Sequence, residues 1–200
     1  MNLTVFGTGD LAERLRTHVR AEVPSSIIVP TIDGAGAAVA VHELDDHQID
    51  SMFEKPMQAV IQSLQEAFRA GSHRLVVVVP TTAMSGGSHF AAIAALAEAS
   101  RVLVKSAARQ WGQDKVTVNA VSVEPRWFGI DPAIAGPVSI AVPALLDAAA
   151  LKQLPSNWTS QELPEELSAL DPVPLVTWLC SSAARTTTGQ TFVCDGGQWM

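Results

Sequence analysis

Two stretches of the chain carry residue types and spacings that could do chemistry. The first is Gly7-Thr8-Gly9-Asp10-Leu11-Ala12, which directly follows a short β-rich run. It matches the loose GxGxx[GA] fingerprint, in which glycines let a pyrophosphate approach a helix N-terminus. Gly7, Gly9 and Ala12 are therefore candidate cofactor-binding positions, and Asp33 is the candidate acid for a ribose. Asp10 either puts a negative charge where phosphate would sit or caps the helix. The second stretch is the polar loop Thr81–His89. It reads as a rebuilt active site, with His89 as base, Ser85 or Ser88 as its partner and Thr81 or Thr82 as a hydroxyl. It reads equally as a solvated loop after a buried strand. His18, His42, His47 and His73 have no second ligand at helical spacing, so no metal site is expected. Cys180 and Cys194 stand at no metal spacing and read as buried reduced thiols, with a disulfide between them left open. The chain contains no tyrosine. Its lysines are Lys55, Lys105, Lys115 and Lys152.

The elements that must position these residues alternate. Strands are expected at Asn2–Phe6, Ser26–Val29, Ala38–Val41, Leu75–Val79, Val116–Val123 and Thr191–Cys194. Helices are expected at Asp10–Val23, Met52–Ala70, Phe90–Trp111 and Pro174–Ser182. The four consecutive valines Val76–Val79 suit a strand covered on both faces. Strands alternating with helices indicate an α/β domain with a parallel sheet.

The 200 residues carry a formal charge of −7, are 48% hydrophobic and only 16% charged. That excludes a disordered chain and argues against nucleic acid, whose phosphates need a basic face. Apolar runs are broken before membrane-spanning length, so no membrane association is expected. Met1–Gly9 has neither a basic leader nor a cleavage site, so a cytoplasmic location is expected.

Three passages of the second half resemble the short-chain dehydrogenase/reductase family. They are Val104–Trp111 with Val116-Thr-Val-Asn-Ala-Val121, the helix Pro174–Ala184, and Thr188-Gly-Gln-Thr-Phe-Val-Cys-Asp-Gly-Gly197, which is close to the family's C-terminal DGG motif. The resemblance implies a Rossmann-like, doubly wound parallel sheet with flanking helices. It implies NAD or NADP, oxidoreduction at an alcohol or ketone, and a dimer or tetramer. It also implies a Ser that orients the carbonyl, a Tyr as acid/base, a Lys four residues later and a relay Asn. Here the Tyr position falls near Ile93, the Lys position near Ala97, the Ser position near Thr81, and the Asn position near Lys55-Pro56. With no tyrosine, no catalytic residue of the family pattern remains. Glu124-Pro125-Arg126 replaces the Pro-Gly that touches the nicotinamide; it reads as a drifted turn, or as an Arg126 that binds an anionic group from a neighbour. Trp127, Trp158, Trp178 and Trp199 read as pocket lining or as core and interface anchors.

The expected organisation is one domain over 1–200. Residues 1–50 form a nucleotide-binding half shortened by at least one strand–helix unit, and 51–200 form the family-like half. The assembly elements are retained: Met57, Ile61 and Leu64 on one helix, Phe90, Ala94 and Ala97 on the next, and Asp195, Gly196, Gly197 and Trp199 at the C-terminus. Retained assembly with lost chemistry points to a non-catalytic subunit that binds no cofactor and pairs with an intact homologue carrying NAD or NADP. The alternatives are an active oxidoreductase with non-standard residues, acting on a hydroxy or keto substrate such as a hydroxyacyl thioester, polyketide or steroid, and a nucleotide- or ligand-binding module.

Overall fold

The structure, a computed structural model, describes residues 2–84, 89–130 and 171–196. Five strands, β1 (Leu3–Phe6), β2 (Ser25–Ile28), β3 (Arg74–Pro80), β4 (Thr117–Val123) and β5 (Thr191–Cys194), form one sheet in the order β1-β2-β3-β4-β5. Every neighbouring pair is parallel. Every residue of β2, β3 and β4 is buried, whereas β1 and β5 are partly exposed edges. That is why the three inner strands read as apolar runs without alternation.

The helices are α1 (Asp10–His18), α2 (Asp46–Ile49), α3 (Lys55–Arg69), α4 (Ala91–Trp111) and α5 (Val173–Leu179). Several boundaries differ from the sequence expectation, each for a local reason. The first helix stops at His18 because Val19 turns extended. The helix expected from Met52 is preceded by α2, nucleated by a capping box: the Asp45 carboxylate accepts from the Gln48 N–H at 2.8 Å, and Gln48 Oε1 accepts from the Asp45 N–H at 3.0 Å. A π turn over Asp50–Glu54 joins α2 to α3, with the Lys55 N–H donating to the Asp50 carbonyl. That wider turn stands just before Pro56, whose ring would clash with the carbonyl four residues back in a regular helix. The last helix ends at Leu179, and a short 3-10 turn follows at Ser182–Ala184. Ala38–Val41 is not a strand: Val39 makes one isolated bridge to Phe90, and Val41–Glu43 is a 3-10 turn.

Strand residues alternate between two cores. On one face Leu11, Ala12 and Leu15 of α1 and Val176 and Leu179 of α5 pack on Ile27, Val76 and Val121. On the other, Val60 and Leu64 of α3 and Ala97 and Val104 of α4 pack on Ile28, Val77 and Val118. The helices thus flank both faces, as expected. A further cluster of Ala35, Met52, Phe90, Ile93 and Ile130 closes the end of the sheet beside α4.

This arrangement fixes a point of chirality. All strands run the same way and each step moves to the same side, so crossovers over opposite faces have opposite hands. The connections through α3 and α4 share one hand and β1-α1-β2 has the other. The step through α1 thus differs in hand from those through α3 and α4, and α5, before β5, covers the same face as α1.

Six of the residues expected at an assembly surface are already consumed by this packing. Leu64, Phe90, Ala94, Ala97 and Asp195 are buried, as is Gly196. On α4, Ala97, Ala107 and Ala108 pack against the chain's own sheet, whereas Ala95 is exposed. Met57 is half-buried and Ile61 is exposed. Gly197 and Trp199 lie outside the described residues.

Two contacts hold α1 and give measurable expectations. Gly7, at φ +107°, leaves β1 so close to β2 that a Cβ would lie 2.1 Å from the Val29 carbonyl oxygen. Gly9, at φ +90°, has open space around it. Denaturant titration should show Gly9→Ala losing about 1–3 kcal/mol to backbone strain. Gly7→Ala should lose more, by about a further 1–3 kcal/mol of overlap. Arg14 on α1 binds Asp171 through two bonds, Nε to Oδ1 at 3.0 Å and Nη2 to Oδ2 at 2.5 Å, and Asp171 Oδ1 accepts the Val173 N–H that opens α5. The Arg14 hydrogen bonds hold the Asp171 carboxyl below its ordinary value. A carboxyl lowered in the folded state contributes stability above its unfolded pKa, near 4, and loses it as pH falls through the folded value. Melting temperatures on the acid side of pH 4 should therefore fall more steeply for the wild type than for Asp171→Asn, which should be less stable at neutral pH.

Candidate functional site

At the carboxyl ends of β1, β2 and β4 lies a cleft of about 520 Å³. Its floor is the turn after β1. The Thr8 N–H donates to Thr31 Oγ1 at 3.2 Å, and the two threonine hydroxyls are hydrogen-bonded at 3.0 Å, which ties the glycine turn to the segment after β2. Gly9 stands before α1 without a side-chain cap, and Asp10 and Leu11 of the first helical turn line the cleft. Val29, Pro30, Thr31 and Ile32 form one wall, and Arg126, Trp127, Phe128 and Gly129 after β4 form the other.

The second wall is built on a buried charge. Glu124 is inaccessible, and its carboxylate is held by Arg126 from the following 3-10 turn, with Nη2 donating to Oε1 at 2.6 Å and Nε paired to Oε2. Removing either partner would strand the other's charge. Two nitrogens of the Arg126 guanidinium are thereby engaged within its own turn. Trp127 packs under the Arg14 guanidinium, 5.8 Å from the ring centroid, which couples the wall to α1 and to Asp171. Trp178 packs edge-on against Phe192 at 5.7 Å, away from the cleft, and Trp158 lies outside the described residues.

The sequence candidates separate. Gly9 lines the cleft; Gly7 lies behind it against β2; Ala12 is buried under α1. Asp33 sits on the exposed turn beyond Ile32, within electrostatic reach of Lys55 and outside the cleft lining. Thr81 and Thr82 are wholly buried with unpartnered hydroxyls. His89 is exposed, and its carbonyl accepts the Val39 N–H at 2.8 Å. Ser85 and Ser88 lie outside the described residues. Ile93 is 1% exposed and packs in the apolar cluster with Met52 and Phe90; Ala97 is 0% exposed under α4. No described group of three His, Cys, Asp or Glu side chains could hold a metal ion. Both cysteines are free, and burial raises the Cys180 thiol to about 11, so it is no nucleophile at neutral pH.

The cleft offers a dinucleotide an uncapped helix start and an open glycine. It opposes that ligand in two ways. Asp10 places a carboxylate at the helix start, and the described sheet ends at β1, so no strand lies on its far side to carry an adenosine ribose. The described residues alone do not make a complete dinucleotide site.

Thr31, Arg14 and Asp171 were not visible as site residues in the sequence. Arg14 and Asp171 stand 157 positions apart, and no local pattern announces such a pair. The Glu124-Pro125-Arg126 triplet was visible, but not that its two charges bind each other.

A family model described as Enoyl-(Acyl carrier protein) reductase matches residues 27–198. No curated protein matches the chain significantly. Similar solved structures include a short-chain dehydrogenase/reductase mutant from Serratia marcescens, with 22% identity and a TM-score of 0.63 over 89% of this chain and 67% of that one. They also include YwfH, an NADPH-dependent reductase involved in bacilysin biosynthesis, with 19% identity and a TM-score of 0.61 over 86% and 66%. An acetoin dehydrogenase from Salmonella typhimurium has 21% identity and a TM-score of 0.58 over 86% and 63%. The chain spans about two thirds of the length of these structures. At these identities the likeness is one of fold, and it agrees with the family match that covers most of the sequence: the chain belongs to the short-chain dehydrogenase/reductase family of oxidoreductases.

Proposed function

We propose that this chain is a non-catalytic subunit that pairs with an intact homologue and supports that homologue's NAD- or NADP-dependent chemistry in the cytoplasm. The observation that carries the reading is the state of two positions. Hydride transfer to a ketone leaves an alkoxide that must be protonated, and losing the donor costs orders of magnitude in rate. Where the family pattern puts that donor and its lysine, this chain has Ile93 and Ala97, packed in apolar cores. The chain offers no tyrosine to replace them. The Thr81 hydroxyl, at the carbonyl-orienting position, is buried.

The incomplete dinucleotide site agrees with a cofactor held by the partner. Solved neighbours include a 4-hydroxyisoleucine dehydrogenase complexed with NADH and a Mycobacterium paratuberculosis short-chain dehydrogenase bound to NAD. For the pairing surface, α3 and α4 leave an apolar outer side: Ile61 is 38% and Val102 52% exposed, and Met57, Ala99 and Leu103 are half-buried. Family dimers are built on the corresponding pair of helices, and apolar side chains left outside a well-packed monomer are the usual material of an interface.

A second reading is favoured by the cleft itself, which is large enough for a small ligand. On that reading the chain is a ligand-binding module, and a lone ligand raises its melting temperature without turnover.

Native mass spectrometry of the chain co-expressed with an intact family member should show a hetero-oligomer. Ile61→Asp or Val102→Glu should abolish it while leaving the fold intact. Calorimetry on the isolated chain should show no binding of NAD(H) or NADP(H) at millimolar concentration. Homo-oligomers alone with every such partner, or turnover of an alcohol by the isolated chain, would refute the proposal.

A further inference from the structure

Strand β1 has an inner and an outer row of backbone polar groups. The Asn2 and Phe6 carbonyls accept from the Ser25 and Val29 N–H groups at 2.7 and 3.0 Å, so the even-numbered residues face β2. By the alternation of a strand, Leu3, Val5 and Gly7 face the other way. No described strand pairs with that outer side. An open row of this kind is a template for another strand, and the sequence Leu3-Thr4-Val5-Phe6 is uncharged and rich in β formers.

One side chain lies across the row. Arg16, in the last turn of α1, donates through Nη2 to the Val5 carbonyl at 3.2 Å and to the Gly7 carbonyl at 3.3 Å. Its Nη1 is paired with Glu13, one turn earlier on the same helix. Its side chain is only 38% exposed, so its stem runs along the protein rather than into solvent. A single guanidinium therefore occupies both of these outward acceptors and lays the Arg16–Glu13 ion pair along the edge.

We propose that Arg16 guards the β1 edge against strand addition by a second copy of this chain. The incoming strand would be β1 itself. Like edges meet about a two-fold axis, which closes the assembly at two copies. In the wild type that approach would bring two Arg16 side chains together and would require both to leave their carbonyls. The guard acts on a surface separate from the outer side of α3 and α4, so it does not depend on the pairing proposed above.

Sedimentation velocity on the full chain tests this against the wild type across a wide concentration range. Arg16→Ala should raise the weight-average mass about twofold over the wild-type species, increasingly with concentration. Val5→Pro added to it should return the mass to the wild-type value. Proline removes the outward Val5 N–H that an incoming strand needs and leaves the β2 ladder untouched. If Arg16→Ala does not fold, Arg16→Met carries the same reading, because it keeps an apolar stem and removes the donors. A mass unchanged from wild type in the folded variant would overturn the proposal. So would association that Val5→Pro does not suppress, since pairing would then lie elsewhere.

Discussion

The structure depends on the direct parallel pairing of β1 with β2 after a connection of only 18 residues, from Gly7 to Pro24. A doubly wound sheet normally sends the chain outward from its first strand before crossing back, and that reversal lets helices cover both faces with every crossover right-handed. Here helices cover both faces without any reversal of strand order. A step through α1 opposite in hand to those through α3 and α4 is the geometric consequence. α1 keeps the face on which Leu11 and Leu15 meet Val176 and Leu179, and the strand it leads to has to lie beside β1. Gly7 makes this possible, because any side chain there would collide with the Val29 carbonyl.

The same constraint shapes the site. The cleft keeps the elements nearest the sheet's carboxyl edge, namely the glycine turn, the helix start and the wall after β4. Among the described residues no strand lies beyond β1, and an arginine is laid along that side. The interactions that hold the cleft's shape are internal ones. Thr8 binds Thr31, Arg126 binds Glu124, and Arg14 binds both Trp127 and Asp171. Groups so engaged fix the geometry of the cleft.

Much of this was legible in the sequence, and the reasons differ by element. The Val76–Val79 run and Thr117–Val123 announce buried parallel strands because both faces are covered, and burial on two faces erases alternation. Thr191–Cys194 was legible through the motif around it. The strand expected at Ala38–Val41 was not formed, because a short apolar run carries no information about whether a neighbouring strand is there to pair with it. The α2 start was written in Asp45 and Gln48 as a capping box, but its polar residues hid it from a search for apolar periodicity. Helical spacing on α4 likewise identifies an apolar face, and only the fold decides which of its residues the chain buries itself. Ala97 packs against the sheet, Ala94 is buried and Val102 is exposed.

The packing around Ile93 and Ala97 also bears on whether a tyrosine and a lysine could be accommodated at these two positions. A catalytic tyrosine needs its hydroxyl at a wet surface, and its lysine needs a partner for the ammonium. Ile93 instead contributes to a cluster with Ala35, Met52, Phe90 and Ile130. Ala97 sits where α4 touches β3 and β4, with no accessible surface. A phenol at the first position would overfill a packed cluster, and overpacking costs about 1–3 kcal/mol. An ammonium at the second would be buried in an apolar cluster, so it would neutralise or force the helix off the sheet. Active sites hold strained and solvated polar groups at the expense of stability. Here the same helix carries apolar contacts at both positions, and those contacts belong to the core that holds α4 in place.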